Sequence, residues 1–258
     1  MLKRRVINPI AFVLLFGLII LNFFANVPWY SYLILLITWF LITLFGSFFI
    51  RWNYHLTSLN SNKKTTQNWV SITFDDGPDA NFTPQILALL KKYEAKATFF
   101  CIGENIEKHP DLVRKLLVEG HSIGNHTYSH SKSFGFFNLK KVMAELEKSK
   151  SVVADLTGLQ MKLYRPAFGV TNPSIEKAVR RLKLSSIGWN VRSLDTTVRS
   201  EAQVFKRISG QLTKGDIILL HDTSEKSVAV LERLLVFLHE KNLKSVTVER
   251  LLELEAYA

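Results

Sequence analysis

Cysteine is almost missing from this chain. Cys101 is the single one among 258 residues, so neither an intramolecular disulfide nor a cysteine-based zinc module can form. It lies in the apolar run Ala97-Thr-Phe-Phe-Cys-Ile102 and reads as an inert core residue. Acidic side chains are missing from the first fifty residues, whose only charges are Lys3, Arg4 and Arg5. The net charge is +11, and beyond those fifty residues 30 basic side chains still stand against 22 acidic ones. Such a surface draws anionic glycans, phospholipid headgroups or nucleic acid. No basic cluster interleaved with aromatics and no nucleic-acid motif is present, so nucleic acid is set aside and a glycan or a membrane is the expected partner. Nothing in the sequence sets an oligomeric state.

Long apolar runs are present, but only at the start. Ile10 to Phe24 is nearly all apolar, Asn26-Val-Pro-Trp-Tyr30 interrupts it, and Tyr32 to Ile50 forms a second run that stops at Arg51. A membrane span needs about 20 apolar residues, and Trp29, Tyr30 and Tyr32 sit where an interfacial aromatic belt would lie. A signal peptide also begins with charge and an apolar stretch. Here no small-residue cleavage site follows, and a second run comes at once. Residues 1–52 are therefore read as a helical hairpin with spans at about 8–27 and 30–50, and the chain as a multi-pass protein of the cell membrane. The sidedness stays open. Two spans place the rest of the chain on the cytoplasmic side with Lys3-Arg4-Arg5, whereas a single true span places it outside.

Residues 53–68 are rich in Ser, Thr and Asn without apolar periodicity and read as a polar linker that packs no core. From 69 to 258, short apolar runs alternate with helical patterns. Strands are expected at 70–75, 96–102, 121–125, 162–165, 184–191, 216–221 and 245–248. Between them the helices run over 83–93, 110–119, 139–157, 173–182, 202–212 and 228–241. Runs such as Asp216-Ile-Ile-Leu-Leu-His221 show no alternation, as befits strands covered on both faces. Repeated β-α alternation points to a (β/α) barrel or an open parallel sheet. Either architecture gathers reactive groups at the carboxyl ends of its strands. Asp75-Asp76, His126, Arg165, Asp195 and His221 each follow one.

The central stretch is Ser71-Ile-Thr-Phe-Asp-Asp-Gly-Pro78, a buried strand ending in two carboxylates and a Gly-Pro turn. Alone it reads as a surface turn. His126-Thr-Tyr-Ser-His130 changes that reading, because imidazoles four apart face one way if the segment turns helically. With Asp76 they make two nitrogens and one carboxylate, a three-ligand set with open positions that suits a catalytic metal. Zinc fits these ligands best; manganese, cobalt and iron also accept them.

Five motifs in order complete the pattern: Thr73-Phe-Asp-Asp-Gly77, His126-Thr-Tyr-Ser-His130, Arg165-Pro-Ala-Phe168, the region around Ser193-Leu-Asp195, and Leu219-Leu-His221. From about Val70 to Leu252 the chain resembles the NodB-homology domain of polysaccharide deacetylases, carbohydrate esterase family 4. The fold expected is a distorted (β/α) barrel of about seven parallel strands, preceded by the transmembrane hairpin. The resemblance implies Asp75 as catalytic base, Asp76 with His126 and His130 as ligands of a divalent metal, and His221 as general acid. It implies the backbone N–H of Phe168 as oxyanion donor and Leu219 as part of a pocket for an acetyl methyl. Arg165 is expected to orient Asp75, and Asp195 to tune His221. The family's fourth motif usually carries two acids followed by Trp, and here Asp195 alone survives, while Ala167 stands in place of a more usual proline. The activity implied is removal of N-acetyl groups from peptidoglycan or a chitin-like oligomer. The alternatives are deacylation or deformylation of a lipid-linked amino sugar, ester O-deacetylation, and a non-catalytic glycan-binding membrane protein on the same fold.

Other residues read more plainly. His121 is a core or rim histidine, His109 a helix-entry residue, and Trp189 core rather than a sugar platform. Asn125 is placed to line the site. Phe134-Gly-Phe-Phe137 forms a loop that either packs on the core or covers the substrate.

Overall fold

The computed structural model describes residues 3–258. Two apolar helices come first, α1 (Arg4–Phe24) and α2 (Trp29–Phe48). Both are long and apolar enough to cross a membrane, and most of their large apolar side chains are exposed. They pack as an antiparallel pair, with the Trp39 indole N–H donating to Asn8 Oδ1 at 3.1 Å and the Phe12 ring edge-on to Trp39.

The remainder alternates strands and helices: β1 (Trp69–Asp75), α3 (Thr83–Lys92), β2 (Ala97–Cys101), α4 (Gly103–Lys108), α5 (Pro110–Val118), β3 (Ser122–Asn125), α6 (Leu139–Thr157) and β4 (Leu163–Tyr164). Then follow α7 (Pro173–Arg181), β5 (Ser185–Ser186), β6 (Val191–Arg192), α8 (Glu201–Ser209), β7 (Ile217–His221), α9 (Glu225–Glu240), β8 (Lys244–Ser245) and α10 (Val248–Leu252). Strand order is β5-β4-β3-β2-β1-β7-β6, with β8 beside β1, and every pairing is parallel. This is the distorted (β/α) barrel expected from the sequence.

The unalternating strand sequences are explained by two cores. Alternate residues of β1, β2 and β7 point opposite ways. Val70, Ile72, Phe74, Phe99, Ile218 and Leu220 join a large cluster that includes residues of α3 and α9. Phe100, Ile217 and Leu219 face the other way, into a second cluster with Trp189 and Val248. The same rule turns Thr73 and Asp75 away from Phe74. That brings polar groups into an otherwise apolar barrel.

Three expectations need correction. The run 184–191 is two short strands, with Ile187–Asn190 between them diverted to other partners: the Gly188 carbonyl accepts from Arg165 and the Asn190 side chain bonds Asp216. The strand expected at 245–248 is only Lys244–Ser245, because Thr247 starts α10. Residues 53–68 are not a linker that packs nothing. Tyr54 is buried, Leu56 and Leu59 pack on core clusters, and Leu59 bridges Ile187 while Ser61 bridges Asp216. This segment lies across the seam between the sheet edges β5 and β6. Its polar residues are spent on hydrogen bonds, such as Ser58 Oγ to Ser186 Oγ at 2.8 Å, which a reading by composition takes for solvation.

The hairpin is fastened to this seam. Arg4 N–H donates to the Tyr54 carbonyl at 2.9 Å, Thr171 N–H to the Ser47 carbonyl at 2.9 Å, and the Tyr54 hydroxyl meets Thr43 Oγ1 at 3.0 Å. Gly46 makes the close approach possible, since a Cβ there would stand 2.7 Å from Tyr54 Cβ. Gly46→Ala should therefore loosen the docking although alanine is the better helix former by about 1 kcal/mol. The expected result is tryptic cleavage after Arg51 several-fold faster than in the parent. Unchanged cleavage would show that the Tyr54 contact does not hold the junction.

Candidate active site

Register builds the site. On the parallel pair β1–β7, Thr73 lies opposite Leu219 and Asp75 opposite His221, so a carboxylate and an imidazole stand side by side at adjacent strand ends, about 4.8 Å apart along the sheet. Asp76 follows in a left-handed conformation, φ 77°, which turns its carboxylate toward His126 and His130. Gly77 is needed there because the Asp222 carboxylate occupies the place of any Cβ.

Asp76 Oδ1 lies 3.4 Å from His126 Nε2 and 3.4 Å from His130 Nε2, and the three ligand atoms fall within 4.8 Å of one another. A tetrahedral centre with bonds of about 2.1 Å has ligand–ligand edges of about 3.4 Å, which matches both pairs. His126 Nδ1–H donates to the Arg165 carbonyl at 2.9 Å, leaving Nε2 with its lone pair toward Asp76. His130 Nε2 is buried and has no hydrogen-bond partner among the described residues. A buried nitrogen without a protein partner, beside a carboxylate, offers its lone pair to a cation, so these residues fit a divalent metal.

The helical turn expected between the two histidines is absent. The segment is a loop in which Thr127 (φ 68°) and His130 (φ 47°) are left-handed, and the rings converge at 4.9 Å by that route. Supports hold it in place. Asn125 Oδ1 accepts from Thr127 N–H while its amide donates to the Leu146 carbonyl. Glu145 accepts from the N–H groups of Tyr128 and Ser129. Asn125 thus shapes the loop rather than lining the site. Phe168 and Leu194 are also left-handed, so five of the ten non-glycine residues with positive φ lie in the site loops, where such strain concentrates.

Arg165 is fully buried. Its guanidinium donates to Asp75 Oδ1 at 2.8 Å, Thr73 Oγ1 at 2.6 Å, the Gly188 carbonyl at 3.0 Å and the Ile187 carbonyl at 3.2 Å, and it stacks over the Phe100 ring at 4.1 Å. Four of its five N–H donors are paired. On the other flank His221 Nδ1 meets Asp195 Oδ1 at 2.9 Å. Asp195 also accepts from His221 N–H, Ser193 and Ser227, so the one acid left in that motif reaches the histidine. The Phe168 ring lies tilted against His130 at 4.4 Å, and Leu219 is buried two residues before His221. Eight of the nine residues singled out in the sequence lie at this rim, and Leu219 packs in the second core cluster below it.

The charges follow from these contacts. Burial would raise Asp76, but His126, His130 and His221 hold its carboxyl well below the usual range. Burial opposes protonation of His126, and Asp75 and Asp76 overcome it and raise the imidazole. Both shifts favour a cation here, proton or metal. His130 is pushed down to about 4 by burial and by His126. Burial also disfavours protonated His221, yet the Asp195 hydrogen bond and charge, with Asp75 and Asp76, raise it to about 9.

Four contributors escaped the sequence reading. Asp222 is buried, accepts from Thr83 at 2.6 Å and is pushed up to about 7 mainly by burial; its adjacency to His221 and the glycine at 77 were the available signals. Thr73, in the same motif as Asp75, shares Arg165. Ser227 and Glu145 sit on helices without any local signal. The remaining residues fall as read: His121 is buried and accepts from Ala97 N–H, His109 precedes α5, and Trp189 is core. Of the aromatic loop, Phe134 is buried and Phe136 is 92% exposed.

Fold and rim together define the class, a distorted (β/α) barrel with an Asp-His-His triad of the right geometry to hold a cation at the carboxyl ends of its strands. A polysaccharide deacetylase family model matches residues 62–187. A peptidoglycan-N-acetylglucosamine deacetylase of Bacillus cereus is 35% identical over 182 residues, covering 69% of this chain and 66% of its own. One of Listeria monocytogenes is 32% identical over 73% of this chain and 40% of its own. The crystal structure of a peptidoglycan N-acetylglucosamine deacetylase in complex with 4-naphthalen-1-yl-N-oxidanyl-benzamide superposes with a TM-score of 0.73 at 32% identity, over 78% of this chain and 95% of that one. The chain belongs to the polysaccharide deacetylase family, and it spans from two fifths to two thirds of the two curated relatives' lengths.

The His221–Asp195 pair gives a direct test. In metal-free protein, histidine NMR should show His221 titrating near pH 9. In Asp195→Asn the raising partner is gone while burial remains, so the midpoint should fall by more than one unit. An unmoved midpoint would show that Asp195 does not set this pKa.

Proposed function

We propose that this protein is a membrane-tethered, metal-dependent hydrolase that removes N-acetyl groups from amino sugars of a glycan such as peptidoglycan or a chitin-like oligomer. The observation that carries this reading is the register pairing of Asp75 with His221 beside the Asp76–His126–His130 cradle. A proton acceptor and a proton donor thereby flank one point where an amide can lie.

In this reading Asp76, His126 and His130 hold a divalent metal, with zinc the best match to imidazole and carboxylate. When bound, it supplies Lewis acidity toward the substrate carbonyl and toward water. Asp75, aimed by the Arg165 hydrogen bond, takes the proton of the attacking water. His221, held protonated and oriented by Asp195, gives a proton to the leaving amine nitrogen. An amine leaves poorly as an anion, so a separate acid is chemically required. The Phe168 N–H takes the developing oxyanion charge, and Leu219 receives the acetyl methyl. A glycan-binding protein without catalysis has no use for both a base and an acid, and this chain keeps both. An ester substrate would engage the same groups.

A second reading is favoured by the hairpin. Its two helices return the chain to the end where α1 begins, and Arg4 bonds Tyr54 there. With both helices spanning and Lys3-Arg4-Arg5 inside, the barrel faces the inner leaflet, where a lipid-linked amino sugar is the nearer substrate.

Full-length protein in detergent should release acetate from N-acetylglucosamine oligomers or peptidoglycan, lose this on chelation and regain it with zinc. Asp75→Asn should keep zinc and lose about 10²–10⁴-fold in turnover, whereas His126→Ala should lose both. Full activity in Asp75→Asn would remove the base assignment. Release from a lipid-linked sugar alone would select the second reading.

A further inference from the structure

Away from the catalytic rim, a cavity of about 460 Å3 opens where the hairpin meets the barrel. Arg4, Asn8, Ser47 and His55 line its polar part, and Leu36 and Phe40 its apolar part. Phe40 and Leu36 lie 8 and 12 residues before the end of α2 at Phe48. At 1.5 Å per residue the cavity thus reaches about 12–18 Å down the helix. Its shape is amphipathic, cationic at one end and apolar at the other.

The polar end lacks an anion. Arg4 has no acidic partner among the described residues. The sequence offers none nearby, since six cations and no acid precede Asp75. Arg4 is also the first residue of a 21-residue helix, where the backbone adds partial positive charge. Ser47 donates to the Thr43 carbonyl, so it accepts from His55 Nε2–H at 3.0 Å. That leaves His55 Nδ1 a buried lone-pair acceptor without a partner. Burial first, and the charge of Arg4 second, push His55 down to about 4, so its ring is neutral and Arg4 is the one charge among the residues that line this cavity.

We propose that this cavity binds the phosphate group of a membrane lipid, with Arg4 and Asn8 on the phosphate and the first methylenes of the lipid chains along Leu36 and Phe40. Arginine pairs with phosphate through two parallel N–H donors. With the hairpin in a bilayer, the level of Arg4 is the level of lipid headgroups. The site rests on that placement and is independent of the catalytic reading. It makes the lipid a third element of the junction, beside Tyr54 and Ser47.

The test uses the full chain, delipidated in a non-ionic detergent and examined by native mass spectrometry. Phosphatidylglycerol should be retained, and diacylglycerol, which lacks the phosphate, should not. Inorganic phosphate should not displace the lipid at equal concentration. Arg4→Gln should weaken phosphatidylglycerol retention about tenfold or more, with Arg4→Lys recovering part of it. Equal retention of diacylglycerol would overturn the proposal in favour of a merely apolar groove. Displacement by inorganic phosphate would overturn it in favour of a soluble anion. The wild-type comparison decides without any variant, should Arg4→Gln fail to fold. Acetate release in Arg4→Gln reports separately on the catalytic reading, because Arg4 lies outside that machinery.

Discussion

A charged guanidinium enclosed in the barrel is the constraint on which the site depends. Arg165 has no exposure to water, and an ion so placed is tolerated only if it is paired and hydrogen-bonded. Asp75, Thr73 and two backbone carbonyls meet four of its five N–H donors. The carbonyls come from Ile187 and Gly188, where the expected long strand breaks in two. The break in the sheet and the buried charge are therefore one feature, since a regular strand would spend those carbonyls on its neighbours. Leaving the cation without Asp75 costs about 3–5 kcal/mol, which ties the folding of the barrel to the aim of its carboxylate.

Around this centre the loops carry the strain and the helices bear it. Left-handed Asp76, Thr127, His130 and Phe168 would relax if released, each at a gain of about 1–3 kcal/mol. They are held by Glu145 on α6, by Asn125 at the end of β3, by Asp222 beneath Gly77, and by the contact of the Phe168 and His130 rings. The loops that present Asp76, His126 and His130 are thus held by the scaffold around them.

The sequence displayed the chemistry more openly than the supports. Asp75, Asp76, His126, His130 and His221 were legible because reactive side chains at strand ends follow from a parallel barrel, and alternation along β1 and β7 fixes which of them share a face. The conformation joining His126 to His130 was not, because positive φ at Thr127 and His130 goes against local preference and is imposed by distant partners. Ser227 and Glu145 looked like ordinary helix residues for the same reason. Residues 53–68 misled in another way. Serine and asparagine that pair with backbone across the seam have the composition of a solvated linker, and only the positions of Tyr54, Leu56 and Leu59 distinguish the two.

The loop after Arg165 joins two structures that otherwise have nothing in common. Phe168 touches His130 of the Asp-His-His triad, and three residues on, Thr171 bonds Ser47 at the end of α2. Three residues span at most about 11 Å. With the hairpin in a bilayer, the barrel has no free tether on which to roam; its working radius is that of a tool bolted to the bench. In that placement the rim keeps one height above the bilayer, and a substrate must come to that height to be reached.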